Sequence, residues 1–115
     1  MTKVTGIVRI GLVGEIIHTI EEAGCRCLSV VDICGLGDLL DPERERISFE
    51  YEGYYMKMSR IEVLCRDEDV QTLVEIFKRY GHTNHPGDGV VYVSPVERAA
   101  KIRSGEEGEG VFQPS

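Results

Sequence analysis

Apolar residues along the chain follow strand-like and helix-like spacings in the order strand, helix, strand. Residues 3–10, KVTGIVRI, are rich in β-branched side chains and partly alternate, which predicts a strand. A helix is predicted next, with Gly24 as its stop signal. Its apolar positions are Leu12, Val13, Ile16, Ile17 and Ile20. Residues 25–34, CRCLSVVDIC, predict the second strand.

The second half of the chain repeats this order. Residues 55–65, YMKMSRIEVLC, predict a strand, and Asp67 is placed to cap a following helix that ends at Gly81. The apolar face of that helix consists of Val70, Leu73, Val74 and Phe77. GVVYV, residues 89–93, predicts the last strand. Two such units in one small domain predict an α+β fold, a ferredoxin-like split βαβ sandwich with an antiparallel sheet and both helices on one face.

Three segments lie outside this repeat. Residues 38–54 are charged and lack a clean period, and loops of that length in a compact domain are usually functional or disordered. Residues 94–97, SPVE, have the form of a capping box and predict a short helical turn. Residues 105–115 are rich in glycine and glutamate, which predicts a flexible C-terminal tail after a domain of residues 1–104.

Composition limits the classes of partner. The chain has 115 residues, enough for one core, and its 13 basic and 20 acidic residues give a net charge of −7. This balance argues against nucleic acid and anionic membranes as partners, because both need a basic face. We expect a cytoplasmic protein without membrane insertion, since no apolar run is long enough to span a membrane and the N-terminus lacks signal-peptide features.

The cysteines and histidines suggest chemistry of their own. We predict that Cys25, Cys27, Cys34 and Cys65 are thiols that mostly pack in strands, because a reducing compartment disfavours disulfides. No spacing completes a tetrahedral set, so we predict no metal site. His82 and His85 precede a glycine turn and are most commonly polar turn residues there. A small enzyme that uses Cys or His chemistry remains an alternative.

Two glycine pairs suggest an anion site. Gly35 and Gly37 leave the second strand, and Gly87 and Gly89 enter the last one. Glycines allow main-chain N–H groups to converge on a phosphate, although a lone GxG is more often a plain tight turn. A cluster of basic residues, Arg98, Lys101 and Arg103, either serves such a phosphate or forms a solvated patch.

These motifs together resemble the PII signal-transduction proteins. In the second half the resemblance depends on Thr83, Gly87-Asp88-Gly89, the strand VVYV, Glu97 through Arg103 and the sequence SGEE. In the first half and the middle it depends on Arg9, EEAG at residues 21–24, Gly35-Leu36-Gly37 and RIEVLCRDEDV at residues 60–70. The register runs without a gap from about Lys3 to Glu107.

The resemblance implies a non-enzymatic homotrimer that binds adenine nucleotide in the clefts between subunits. Residues 38–54 would be the T-loop, which docks onto an enzyme or transporter, and residues 82–88 would be the B-loop. The implied nucleotide-binding residues are Ser29, Gly35, Gly37, Asp38, Glu62, Leu64, Gly87, Asp88, Gly89, Lys101 and Arg103. A metal-binding ferredoxin-like trimer is an alternative that shares the fold.

Departures from the family pattern change the expected ligands. The family usually has Lys or Arg where this chain has Val90, and a basic or polar residue where it has Asp38. Both changes weaken a triphosphate most, so we expect ADP or AMP to bind better than ATP. Leu39 and Met58 replace the glutamine and lysine that serve 2-oxoglutarate in typical members. A carboxysome-associated branch responds to bicarbonate with an adenine nucleotide, and bicarbonate is the second effector that we expect.

Tyr51 occupies the position of the tyrosine that is uridylylated in many bacterial members. The surrounding sequence, ISFEYEGYYMKM, differs from theirs, and an exposed tyrosine in a binding loop can equally be a contact residue. A nitrogen-regulatory PII protein modified at Tyr51 is therefore the alternative within the family.

Overall fold

A computed structural model of the chain describes residues 1–48, 50 and 53–114. The strands are β1 (Thr2–Arg9), β2 (Cys27–Gly35), β3 (Arg46–Ser48), β4 (Gly53–Cys65) and β5 (Val90–Pro95). The α-helices are α1 (Val13–Glu22) and α2 (Val70–Tyr80). Short 3-10 turns precede both helices and follow β2. The repeated strand, helix, strand order is confirmed.

The sheet has the strand order β2-β4-β1-β5, and every neighbouring pair is antiparallel. Strands β1 and β2 are therefore parallel and are separated by β4, while β4 and β5 are parallel and separated by β1. This arrangement is the ferredoxin-like split βαβ fold, and that prediction is confirmed. The β1–β4 ladder runs from Thr2 opposite Cys65 to Arg9 opposite Met58.

The core lies between one face of the sheet and the two helices. Val4 and Val8 of β1 and Ile61 and Val63 of β4 point to this face, because alternate strand residues share a side. They pack against the fully or largely buried helix residues Ile16, Ile20, Leu73 and Phe77. Gly6 leaves room for the Phe77 ring, which lies over it. Both helices thus cover one face, as predicted.

The opposite face of the sheet, here called the open face, is defined by the strand register. It includes Thr5 and Ile7 of β1, Ser29 and Val31 of β2, Arg60, Glu62 and Leu64 of β4, and Val90 and Tyr92 of β5. Val31, Val90 and Tyr92 are exposed there. The Oγ1 of Thr5 and the Nε of Arg60 are buried without a hydrogen-bond partner in the single chain. Polar atoms in that condition are costly, so this face is suited to contact with other protein.

Two local predictions about helix ends were wrong. Residues 94–97 do not form a helical turn, because β5 continues to Pro95 and the Val96 N–H donates to the Met1 carbonyl oxygen at 3.1 Å. Asp67 does not cap α2, which begins at Val70 after a 3-10 turn at Asp67–Asp69. The Asp67 carboxylate instead accepts a hydrogen bond from the Thr2 hydroxyl at 2.5 Å.

The segments predicted to be irregular contain some regular structure. Within residues 38–54, β3 pairs with the start of β4, with Ile47 opposite Tyr54. Near the C-terminus, Gly108–Phe112 form a 3-10 turn with Val111 buried. An apolar pair at positions 111 and 112 supplies the buried surface that the glycine and glutamate content of this segment does not. Among the described residues, no helix has the length and apolar character to cross a membrane.

Candidate functional site

Arg9 lies at the end of β1, where the loop of residues 82–88 meets the start of segment 38–54. Its Nη1 donates to Asp41 Oδ2 at 2.8 Å, and its Nε donates to Asp88 Oδ1 at 3.0 Å. Its Nη2 donates to the Pro86 carbonyl oxygen at 3.1 Å. Burial alone would lower the pKa of Arg9, but the hydrogen bonds with the two carboxylates raise it. One guanidinium therefore connects three distant parts of the chain.

Asp88 organises the loop of residues 82–88 from within. Its carboxylate accepts hydrogen bonds from the Thr83 N–H at 2.7 Å, the Thr83 hydroxyl at 2.5 Å and the Asn84 N–H at 3.1 Å. Burial raises the pKa of Asp88, but these bonds and the one from Arg9 outweigh it and lower the pKa to about 2. Both carboxylate oxygens are thus engaged with the protein, which assigns this side chain to shaping the loop.

The same loop lies against the base of segment 38–54. Gly87 has φ +94°, and a Cβ at this position would lie 2.6 Å from the Asp41 nitrogen and 2.7 Å from the Leu40 carbonyl carbon. Asp41 Oδ1 accepts a hydrogen bond from the Glu43 N–H at 3.0 Å. That bond, followed by the bond from Arg9, lowers the pKa of Asp41. The loop and the base of the segment are therefore in direct backbone contact.

The glycines after β2 lie at this same end of the sheet. A Cβ on Gly35 would lie 2.7 Å from Met58 Sδ and 3.1 Å from Leu39 Cβ. Gly37 and Asp38 follow in an exposed 3-10 turn. We call this group the glycine end of the sheet, and its members are Gly35, Gly37, Asp38, Gly87, Asp88 and Gly89.

Other predicted binding residues lie at the opposite end of the sheet. Leu64 is opposite Cys27 in the β2–β4 register, and Glu62 is opposite Ser29. Glu62 has found a basic neighbour, with Oε1 at 3.5 Å from Arg60 Nε. Leu64, Lys101 and Arg103 line a cleft of about 730 Å³. We call it the cationic cleft, because Arg26, Arg66, Lys101 and Arg103 line it, with Asp69 as the acidic residue among them.

These two groups are too far apart to hold one small ligand within a single chain. Gly35 pairs with Met56, whereas Cys27 pairs with Leu64, so the ends are eight residues apart along β4. At the usual strand rise this corresponds to about 26 Å, longer than a mononucleotide. A ligand that uses both groups must therefore lie between two copies of the chain.

Comparison with known proteins identifies the family. A family model described as "Nitrogen regulatory protein P-II" matches residues 1–106. The chain belongs to the PII family. It is 30% identical to nitrogen regulatory protein P-II 2 of Methanothermobacter thermautotrophicus over 109 residues, which cover 95% of each chain. It is 32% identical to nitrogen regulatory protein P-II of Rhodobacter capsulatus over 109 residues, which cover 95% of this chain and 97% of the relative.

In this PII chain, the contacts of Arg9 and Asp41 are what sequence reasoning did not find. Arg9 entered the sequence analysis only as a part of the resemblance, and Asp41 did not enter it as a site residue. The available signal was the position of Arg9, a charged residue that ends an otherwise apolar strand. Tyr51, the predicted modification site, lies outside the described residues.

The cysteines are free thiols, as predicted. Cys25 and Cys65 are buried, and burial raises the pKa of both, that of Cys65 to about 11. Cys27 and Cys34 are exposed on β2. Thiols with a raised pKa are poor nucleophiles, which disfavours Cys25 and Cys65 as reactive groups. Among the described residues, no three His, Cys, Asp or Glu side chains are grouped to hold a metal ion.

Acid should weaken the fold through Asp88. Its pKa is lowered to about 2, against about 3.9 in an unfolded chain, so its ionised form stabilises the folded state above pH 4. We expect that contribution to be lost as the pH falls from about 5 to 2, as measured by urea denaturation across this range. Asp88→Asn should flatten the fall, whereas the exposed Glu97→Gln should not. An unchanged slope in Asp88→Asn would contradict this assignment.

Proposed function

We propose that the chain is a homotrimeric PII-type regulator that binds an adenine nucleotide between neighbouring subunits, with ADP or AMP preferred over ATP. Occupancy is signalled to an enzyme or transporter through residues 38–54, its T-loop. The separation of the glycine end from the cationic cleft is the observation that carries this proposal. Each chain supplies two half-sites that face different neighbours in a closed ring.

The open face supports assembly of the trimer. Exposed Val31, Val90 and Tyr92 lie around the buried, unpartnered polar atoms of Thr5 and Arg60. A second copy packed on this face would remove the apolar side chains from water and supply hydrogen-bond partners. We expect a mass of three chains by analytical ultracentrifugation, and a monomer at micromolar concentration would contradict the proposal.

The nucleotide preference follows from two exposed residues at the glycine end. Val90 adjoins Gly89 and offers no charge, while Asp38 adjoins Gly37 and would repel a phosphate group. A terminal phosphate that extends toward these residues loses one attraction and gains one repulsion. Such a penalty grows with the number of phosphate groups, so ATP is affected most.

Arg9 provides the route from nucleotide to T-loop. A ligand can shift the loop only if it binds the two loop states with different affinity. Phosphate groups at the amides of Gly87 and Gly89 would move Pro86 and Asp88, and Arg9 holds both of these together with Asp41. The base of the T-loop would therefore respond to occupancy through a shared side chain.

The second effector is proposed to be bicarbonate, and the process carbon metabolism. Met58 is completely buried and Leu39 is apolar, so neither offers the polar contact that an oxoacid needs. A smaller anion demands fewer contacts. The names of the relatives favour the second candidate, a nitrogen-regulatory protein that is uridylylated at Tyr51. Mass spectrometry of the chain from its native cell tests that modification.

Calorimetry tests the nucleotide proposal. We expect ADP and AMP to bind the purified protein at least about threefold more tightly than ATP, with bicarbonate and not 2-oxoglutarate increasing the affinity. Val90→Lys should improve ATP relative to ADP by about tenfold, since it restores a charged phosphate contact. Val90→Gln, a polar but uncharged control, should not. Tighter binding of ATP than of ADP by the unmodified protein would overturn the preference.

A further inference from the structure

The C-terminal residues 108–113, here called the strap, lie on the cationic cleft. Val111 is buried, and Val111 and Phe112 form part of the cleft wall. The Arg66 guanidinium lies 4.7 Å from the centre of the Phe112 ring. Its Nε also donates to a Glu109 carboxylate oxygen at 2.9 Å. The strap therefore holds Arg66 by a charged contact and an aromatic contact at once.

A tight turn returns the strap to the cleft. The Lys101 N–H donates to the Glu106 carbonyl oxygen at 2.8 Å, and the Gly105 N–H donates to the Lys101 carbonyl oxygen at 2.8 Å. Ala100 and Glu107 form a β-bridge next to this turn. The Lys101 ammonium then donates to the Gln113 carbonyl oxygen. The turn thus places strap acceptors beside a lysine that is proposed to bind phosphate.

Two of the cations in the cleft are consequently engaged by acceptors of the same chain. Arg66 is bonded to Glu109 and Lys101 to Gln113, whereas a nucleotide phosphate would need the same N–H donors. The carboxylate of Glu109 also adds negative charge beside the cleft. A phosphate that enters must therefore displace these acceptors.

We propose that the strap is an internal competitor of the nucleotide and that Arg66 is a further phosphate-binding residue, released when the strap is displaced. This inference rests on the proposed binding of adenylate at the cationic cleft. The strap is easy to displace, because Glu109 is largely exposed and exposed ion pairs are weak. It sets a threshold of nucleotide concentration and leaves the site functional.

Removal of the strap tests the competition. In a chain that ends at residue 107, we expect ADP to bind about tenfold more tightly by calorimetry than in the full chain. We expect a larger gain for ATP than for AMP, because more phosphate groups use the freed cations. Glu109→Gln should give part of this gain in a chain of normal length. Glu75→Gln, which removes the same charge from α2, should give none.

The outcomes separate this inference from the proposed function. If the full and shortened chains bind ADP equally, or if the shortened chain binds it more weakly, the competition is overturned and the nucleotide site stands. If neither binds any adenylate, both are overturned. Thermal unfolding of the unliganded proteins shows whether the shortened chain remains folded.

A fluorescent variant reports the displacement directly. The chain has no tryptophan, so Phe112→Trp introduces a single reporter that keeps an aromatic ring beside Arg66. Saturation with ADP should shift its emission to longer wavelength as the ring moves into water. The same variant with Lys101→Ala and Arg103→Ala should show the shift only at much higher ADP. Unchanged emission in the ADP-saturated single variant would overturn the inference.

Discussion

Arg9→Met should lower the free energy of unfolding by about 3 kcal/mol at pH 7. The substitution keeps the length of the side chain but removes the shared partner of two carboxylates with little access to water. The side chains of Arg9, Asp41 and Asp88 are 16%, 8% and 22% exposed, respectively. Breaking a largely buried ion pair costs more than the pair contributes, because a desolvated charge remains. Urea denaturation at fixed protein concentration measures the change.

Two control variants identify the cause of this effect. Arg98→Met removes an ion pair with Glu107 whose partners are 81% and 47% exposed, so we expect a loss below about 1 kcal/mol. Arg9→Lys keeps the charge but not the planar fork that reaches Asp41, Asp88 and Pro86 together, and should fall between the two. Equal losses for Arg9→Met and Arg98→Met would show that the Arg9 contacts do not stabilise the fold.

The repeated spacing of apolar residues was enough to predict the fold. Ile16 and Ile20 of α1 and Leu73 and Phe77 of α2 are at helical intervals, and the structure buries all of them against the sheet. The β-branched runs became strands with bounds close to those predicted. Such local periodicity reports which face of an element is buried, and two strand, helix, strand units leave few ways to form one sheet.

The contacts within the site could not be predicted in the same way. Arg9 is separated by 32 residues from Asp41 and by 79 from Asp88, so no spacing along the chain relates them. The contacts of Asp88 could not be inferred from its position either. A carboxylate between two glycines suggested a ligand contact, whereas the donors of Thr83, Asn84 and Arg9 occupy it.

Composition was a poor guide to the C-terminal segment. Gly105 and Gly108, which have positive φ, allow turns that bring Val111 into the cleft. An average over residues 105–115 does not register one well-placed apolar pair, and a folding rule based on composition applies only where no such pair exists. The capping box at residues 94–97 failed for a related reason, since the ladder between β1 and β5 outcompetes a local turn.

Gly87→Ala should be among the most damaging single substitutions in the chain, with a loss of about 3 to 4 kcal/mol in the free energy of unfolding. Two costs combine at this position. A side chain at φ +94° is strained by itself, and the added Cβ would lie 2.6 Å from the Asp41 nitrogen and 2.8 Å from the Leu40 carbonyl oxygen. Because those atoms are main chain, the B-loop or the base of the T-loop has to move.

Gly24→Ala separates the two costs. Gly24 has φ +91°, nearly the same conformation, but a Cβ added there would meet no atom within 4 Å beyond its chain neighbours. It should therefore lose only the conformational part, about 1 to 2 kcal/mol. The excess loss in Gly87→Ala then measures the close approach of the B-loop to the T-loop. If the two variants lose equal stability, that approach contributes nothing, and signalling through this contact loses its physical basis.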